Sequence, residues 1–244
     1  QACETSTAVL HPLAELAEVV HSYNEETLFI VDAVSALGGV DMNMQRDNID
    51  CIVSGSQKAL MLPPGLAFVA VNNRALSKVD SLGNRRYYLD LRMYFKSLEV
   101  DYTPQTPAVT LYQGLDDVLD MINEETLEEV FLRHKKMQKM LRRGIEALDL
   151  ELFVKEEAAS PTVTAVTSTS EEISHIKDEL DKNYNISVAG GQKDLAGKII
   201  RIGHMGFMFP KDILAILSAL EDILSKLRNK NYYGKALTAA QESL

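Results

Sequence analysis

The stretch LFIVDAV, residues 28–34, constrains the fold more than any other segment of this chain. An apolar run interrupted only by one acid near its end is the pattern of a strand buried on both faces, as in a parallel sheet. Asp32 stands near the C-terminal end of the run, the edge at which open α/β sheets gather their ligands. A helical pattern over Ala8–Tyr23 precedes it, with Thr5, Ser6 and Thr7 as N-cap hydroxyls and Pro12 in the first turn. Two further short strands follow, Ile49–Ser54 and Leu66–Val71. Alternation of this kind, rich in Val, Ile and Leu, predicts an α/β layered domain.

The second half of the chain has a different rhythm. Residues 81–107 are polar, aromatic and irregular, and 109–148 reads as two helices broken near Asn123–Glu124. Strand patterns at 150–154 and 162–168, a helix over Glu171–Tyr184, strands at 186–191 and 198–206 and a closing helix Asp212–Leu227 describe a small α+β unit. The polar residues 229–244 read as a frayed tail. The expected organisation is therefore a sheet-containing region over residues 1–125, a connecting helix 126–148, an α+β domain 149–228 and the tail 229–244.

Composition narrows the function. With 25 Lys+Arg against 35 Asp+Glu, the formal net charge of −10 argues against a nucleic-acid partner, which needs a basic face. No apolar run approaches the roughly 20 residues of a membrane helix. Two cysteines, Cys3 and Cys51, make no disulfide framework and suit a reducing compartment. No Cys/His cluster has zinc spacing, so no metal site is expected.

The strongest chemical signal is SGSQKALMLPPG, residues 54–65. Ser54, Gly55 and Ser56 precede Lys58, and Pro63, Pro64 and Gly65 fix the chain after it. A rigid turn that presents one amine is what Schiff-base chemistry requires, whereas an isolated loop lysine is ordinarily just solvated. Asp32 reads either as a surface or capping aspartate or as the partner of a buried cation, such as the ring nitrogen of pyridoxal phosphate. The two residues lie 26 positions apart, each at a strand end, so both can approach one cofactor. His134, among Arg133, Lys135 and Lys136, reads as belonging to a solvated helix face, and Cys3 as structural. His204 reads as a strand histidine that is either structural or directed at the cleft.

Taken together, ETSTAVL, LFIVDAVSALGGV, IDCIVSGSQKALMLPPGLAFVAV and RIGHMG resemble the class V, fold-type I aminotransferases, in particular the alanine–glyoxylate and serine–pyruvate group. The resemblance runs from about residue 1 to residue 228. It implies a large α/β domain, a mainly parallel sheet with helices on both faces, followed by a small α+β domain. It implies pyridoxal phosphate carried on Lys58, with Asp32 on the ring nitrogen, Val34 against the ring and Thr5 contacting the cofactor. Ser56 and Gln57 would contact the phosphate, and Thr106 the phosphate of a neighbouring subunit in a homodimer. The tyrosine that the family uses shortly before that threonine is replaced by Thr103, with Tyr102 adjacent, and Ala8 stands where many relatives have glycine. Arg201 would hold the substrate carboxylate. The implied reaction passes an amino group from a small amino acid, alanine or serine, to an oxo acid such as glyoxylate or pyruvate, in the cytoplasm. The rivals are phosphonate or phosphoserine transamination, cysteine desulfuration (whose enzymes carry His where this chain has Gln57) and an inactive fragment of the fold. The opening QACETSTAVL, which reads as a strand end and a turn, implies an N-terminally truncated chain that lacks the family's glycine-rich phosphate turn.

Overall fold

The computed structural model describes residues 1–82 and 86–244, so some of the stretch read as irregular over 81–107 lies outside the described residues. The chain opens with an antiparallel hairpin, β1 (Cys3–Glu4) and β2 (Val9–Leu10), followed by α1 (Leu13–Tyr23). Residues Thr5 to Ala8 form the hairpin turn and do not start the helix. Thr7 and Ala8 amides both donate to Glu4 O, at 3.2 and 2.8 Å, and Ala8 takes a left-handed φ of 66°. The helix begins after Pro12, which caps it without any side-chain bond.

Next come β3 (Ile30–Asp32), β4 (Cys51–Gly55) and β5 (Ala67–Val71), in the order β3–β4–β5. β3 runs parallel to β4 and β5 antiparallel to it, so this sheet is mixed. The strand expected over 28–34 shrinks to three residues, and for a local reason. Asp32 Oδ1 accepts the Val34 amide at 2.9 Å and Ala36 N donates to Ala33 O, which turns the chain at once. Val31 is buried but Ile30 is 58% exposed, because successive side chains of β3 point to opposite faces and Ile30 shares the open one with Asp32.

Helices α2 (Asn73–Ser81), α3 (Leu91–Leu98), α4 (Val109–Glu125) and α5 (Leu127–Ala147) follow. The break between the last two falls at Thr126, whose hydroxyl accepts the Glu129 amide and caps α5. The C-terminal sheet is antiparallel throughout, in the order β6 (Glu151–Leu152), β7 (Val163–Thr167), β9 (Ile199–Gly203) and β8 (Ala189–Gly190). Helices α6 (Ser170–Tyr184) and α7 (Pro210–Leu227) cover it, with Ile173, Ile176, Leu180, Leu217 and Leu220 facing α5 and the sheet.

Two further expectations fail here. The supposed frayed tail contains α8 (Lys235–Glu242), with Tyr232, Ala236 and Ala240 in the core against α5. The helix is held because Glu221, itself buried, accepts the amides of Gly234, Ala236 and Leu237 at 2.8, 2.7 and 3.0 Å. His134 is no solvated residue: it is fully buried, since it faces the turn after β9, as Arg133 does, while Lys135 and Lys136 face out.

A second core crosses between the two ends of the chain. Ala2, Cys3, Ala8, Val31 and Ile52 pack with Val154, Val163, Ala165 and Ile199. Polar links stitch the same seam: Ser160 N donates to Ala8 O at 3.1 Å, and Thr162 Oγ1 to Ser35 O at 2.8 Å.

Candidate active site

A cleft of about 530 Å³ opens where the C-terminal end of β3, the loop after β4, the β1–β2 hairpin and β9 converge. Thr5, Asp32, Val34, Lys58 and Arg201 all line it, so five of the eight residues singled out from sequence meet in one place. Lys58 is presented by a loop that Ser56 ties shut. Ser56 N donates to Leu66 O at 3.1 Å, its hydroxyl donates to Pro63 O at 2.7 Å, and it accepts the Leu66 amide at 3.2 Å. With the hydroxyl so engaged and the residue fully buried, Ser56 lies outside the cleft. Gln57 is exposed, and its side chain lies so close over Gly55 that a Cβ there would stand 2.7 Å from Gln57 Oε1. Thr106 is exposed and away from the cleft.

Asp32 uses one carboxylate oxygen on its own turn, through Val34 N, which leaves the other for a cation. Thr5 Oγ1 donates to Ser35 Oγ at 2.6 Å. Arg201 alternates with Ile200 and Ile202 on β9, and this puts the isoleucines into the core and the guanidinium into the cleft. It is 9% exposed and firmly oriented. Nε donates to Gly190 O at 2.9 Å and one NH1 hydrogen to Thr5 O at 3.0 Å, so three of the five donors a guanidinium carries remain for a ligand.

Sequence reasoning did not single out Ser35, Glu4, Gln192, Gly203 or Met205, which also line the cleft. Ser35 carried a signal, being in the same turn as Asp32 and Val34, while Gln192 and Met205 arrive only through the crossing of the C-terminal sheet. Burial raises the Cys3 thiol, and it donates to Ser160 Oγ at 3.2 Å. Glu4 is held below the usual carboxylate range because it accepts the Ser6 hydroxyl and amide. His204 does not enter the cleft. It is fully buried against Thr164 Oγ1 at 2.9 Å, and burial pushes its pKa down to about 3. Burial likewise lowers His134. Among the described residues no group of three or more His, Cys, Asp or Glu is placed to hold a metal ion, and no helix is long and apolar enough to cross a membrane.

An amine and a carboxylate at a sheet edge, with a guanidinium facing them, raise the question of which known proteins share this arrangement. Residues 1–205 match the family model described as Aminotransferase class-V. The chain belongs to the class V aminotransferases. Within the curated proteins it is 39% identical over 237 residues to the soluble hydrogenase 42 kDa subunit of Anabaena cylindrica, and the match covers 97% of this chain and 62% of that protein. It is 34% identical over 244 residues to the serine–glyoxylate aminotransferase of Arabidopsis thaliana, covering 99% of this chain and 61% of that one. The solved structure of ureidoglycine–glyoxylate aminotransferase from Bacillus subtilis superposes with a TM-score of 0.88 at 32% identity, over 99% of this chain and 63% of that one. The chain thus spans about 60% of the length of the class V relatives it matches, and its fold is that of fold-type I aminotransferases.

Proposed function

We propose that the full-length protein is a pyridoxal-phosphate transaminase, with the cofactor on Lys58, that passes an amino group from alanine or serine to glyoxylate or pyruvate. The observation that carries this reading is the convergence of Lys58, Asp32 and Arg201 on one cleft. The donor set fits the cofactor. Asp32 keeps a carboxylate oxygen for a protonated ring nitrogen, Val34 offers an apolar contact for the ring, and Lys58 supplies a primary amine in the same space. Gln57, at the mouth of the loop, is the better placed of the two phosphate candidates, because the Ser56 hydroxyl is engaged within the loop. Glyoxylate as acceptor is supported by the names of the Arabidopsis and Bacillus relatives.

When bound, the cofactor supplies an electron sink for the carbanion left at the donor's Cα. The chain's own residues do the rest. Arg201 offers its remaining donors to the substrate carboxylate and so fixes which Cα bond faces Lys58. Lys58 Nζ would take the Cα proton as base and then give it up as acid to the carbon on the far side of the linking nitrogen. Asp32 holds the proton on the ring nitrogen, and Val34, Val163 and Met205 keep water from the reacting face. A homodimer belongs to the reading, with Thr106 serving the opposite subunit; so does a cytoplasmic setting, supported by two free, buried cysteines.

The test is borohydride reduction of the full-length protein followed by peptide mapping. Lys58 is expected to carry the label, and Lys58→Ala to lose both the label and the visible absorbance of the imine. A label on another lysine overturns the assignment.

A further inference from the structure

The Lys58 loop rests on Gly206, a residue without a role in the proposed reaction. Gly206 takes a left-handed φ of 76°, and a Cβ there would stand 3.1 Å from Met61 Cγ and 3.3 Å from Lys58 O. Gly38 also packs against the loop, where a Cβ would be 3.4 Å from Ala59 Cβ and from Leu60 Cδ2. The hydrogen bonds of Ser56 tie only the base of the loop, at residues 62, 63 and 66. Its crown, residues 58–61, is closed by its own bond from Met61 N to Lys58 O at 2.9 Å and is positioned from outside by the close approach of Gly206 and Gly38.

The turn bearing Gly206 is in turn anchored by two consecutive residues of α5. Arg133 NH1 donates to Gly206 O at 2.9 Å and to Met208 O at 2.8 Å, while Nε and NH2 grip Glu125 at 2.6 and 3.0 Å. His134 Nδ1–H donates to Val130 O at 2.6 Å, which leaves Nε2 as an acceptor, and the Gly206 amide donates to it at 3.2 Å. Both polar groups of Gly206 are thus held by one helix, about 70 residues away in sequence.

We propose that the 205–208 turn is a brace that sets the direction of the Lys58 amine, with Gly206 as its contact and Arg133 and His134 as positioning residues. The catalytic consequence rests on the reading of Lys58 as the reacting amine; the bracing itself does not. Misdirection by a fraction of an ångström is costly in proton transfer, which depends on short, aligned donor–acceptor geometry.

The experiment uses the full-length protein with Gly206→Ala, Arg133→Met and Met61→Ala, the last of which removes the contact without adding an atom. In cofactor-free protein, reductive methylation of each lysine is followed by mass spectrometry across pH. The Lys58 rate is expected to change at least threefold in every folded variant, with the other lysines unchanged. In loaded enzyme kcat should fall about tenfold or more in Gly206→Ala and Arg133→Met and about threefold in Met61→Ala, with KM for the amino donor within twofold. Arg133→Lys, which keeps one donor for the turn, should recover some of the loss. Unchanged Lys58 labelling in the folded variants overturns the brace, as does a uniform change over all lysines, which signals general loosening. If borohydride labels another lysine while Lys58 methylation still responds, the function reading fails and the brace stands.

Discussion

Arg201 reaches the cleft with its direction already set by two carbonyl oxygens, Gly190 O and Thr5 O, from separate segments of the chain. Arg201→Ala in the full-length enzyme should keep the visible absorbance of the bound cofactor yet lose activity with alanine or serine and with glyoxylate or pyruvate alike. A charge-assisted contact of this type is worth about 1.5–3 kcal/mol, roughly ten- to a hundred-fold in binding. Arg201→Lys should recover little, because an ammonium cannot satisfy both carbonyls and still present a planar fork. Near-normal steady-state kinetics in Arg201→Ala would remove the residue from the site. The buried histidines give a second expectation. An unfolded histidine binds a proton below about pH 6.5, whereas His204 in the fold resists protonation down to about 3 and His134 is shifted the same way. Stability should therefore fall as pH drops below about 6.5, by at most about 1.4 kcal/mol per pH unit for each histidine. The lowered carboxylates, such as Asp222 at about 2 with its Lys226 and tyrosine partners, lose their contribution only at more acid pH. Denaturant midpoints between pH 6.5 and 4.5 should show a shallower slope in His204→Gln; an unchanged slope contradicts the assignment.

Elements were legible in sequence wherever a hydrophobic period ran its full length, as in α6 and α7, and least where a side chain or a turn overrode the period. Asp32 ends its strand by bonding its own backbone, which an apolar run cannot reveal. The turn after Glu4 took the hydroxyl residues that looked like helix caps. The C-terminal helix was missed because its composition is polar, although Ala236 and Ala240 stood at the right spacing to pack. Beside its apolar packing, a single carboxylate inside α7 fixes the entry to that helix. Glu221→Ala strips three helix-entry amides of their acceptor and should cost about 2–3 kcal/mol. Amide hydrogen exchange would report it: the α8 amides should exchange much faster while those of α5 change little. Equal protection in α8 would show that Tyr232, Ala236 and Ala240 hold it unaided.

At the scale of the molecule, the meeting of the candidate residues was more readable than the architecture around them. Lys58 and Asp32 each sat at a strand end in the sequence pattern, and parallel pairing of β3 with β4 brings those ends side by side. The seam that joins residues 2–52 to residues 154–199 had no such pattern, because it is a meeting of scattered small and branched side chains. The full-length protein is expected to be a homodimer: Thr106 is exposed and outside the cleft, and Tyr87, Tyr88, Leu89 and Tyr102 lie bare in the same region. Light scattering showing only fully active monomer would exclude a role for Thr106 across subunits.

The bond from Arg201 to Thr5 O bears on how such proteins can be recombined. A chimera that takes its C-terminal sheet from one parent and its opening hairpin from another would mate a guanidinium from the first with a carbonyl placed by the second. The crossover at the most obvious boundary, the long helix α5, is then the wrong one. Specificity would travel intact only if residues 1–10 moved together with residues 150–206, as a single inheritable block assembled from distant stretches of the gene.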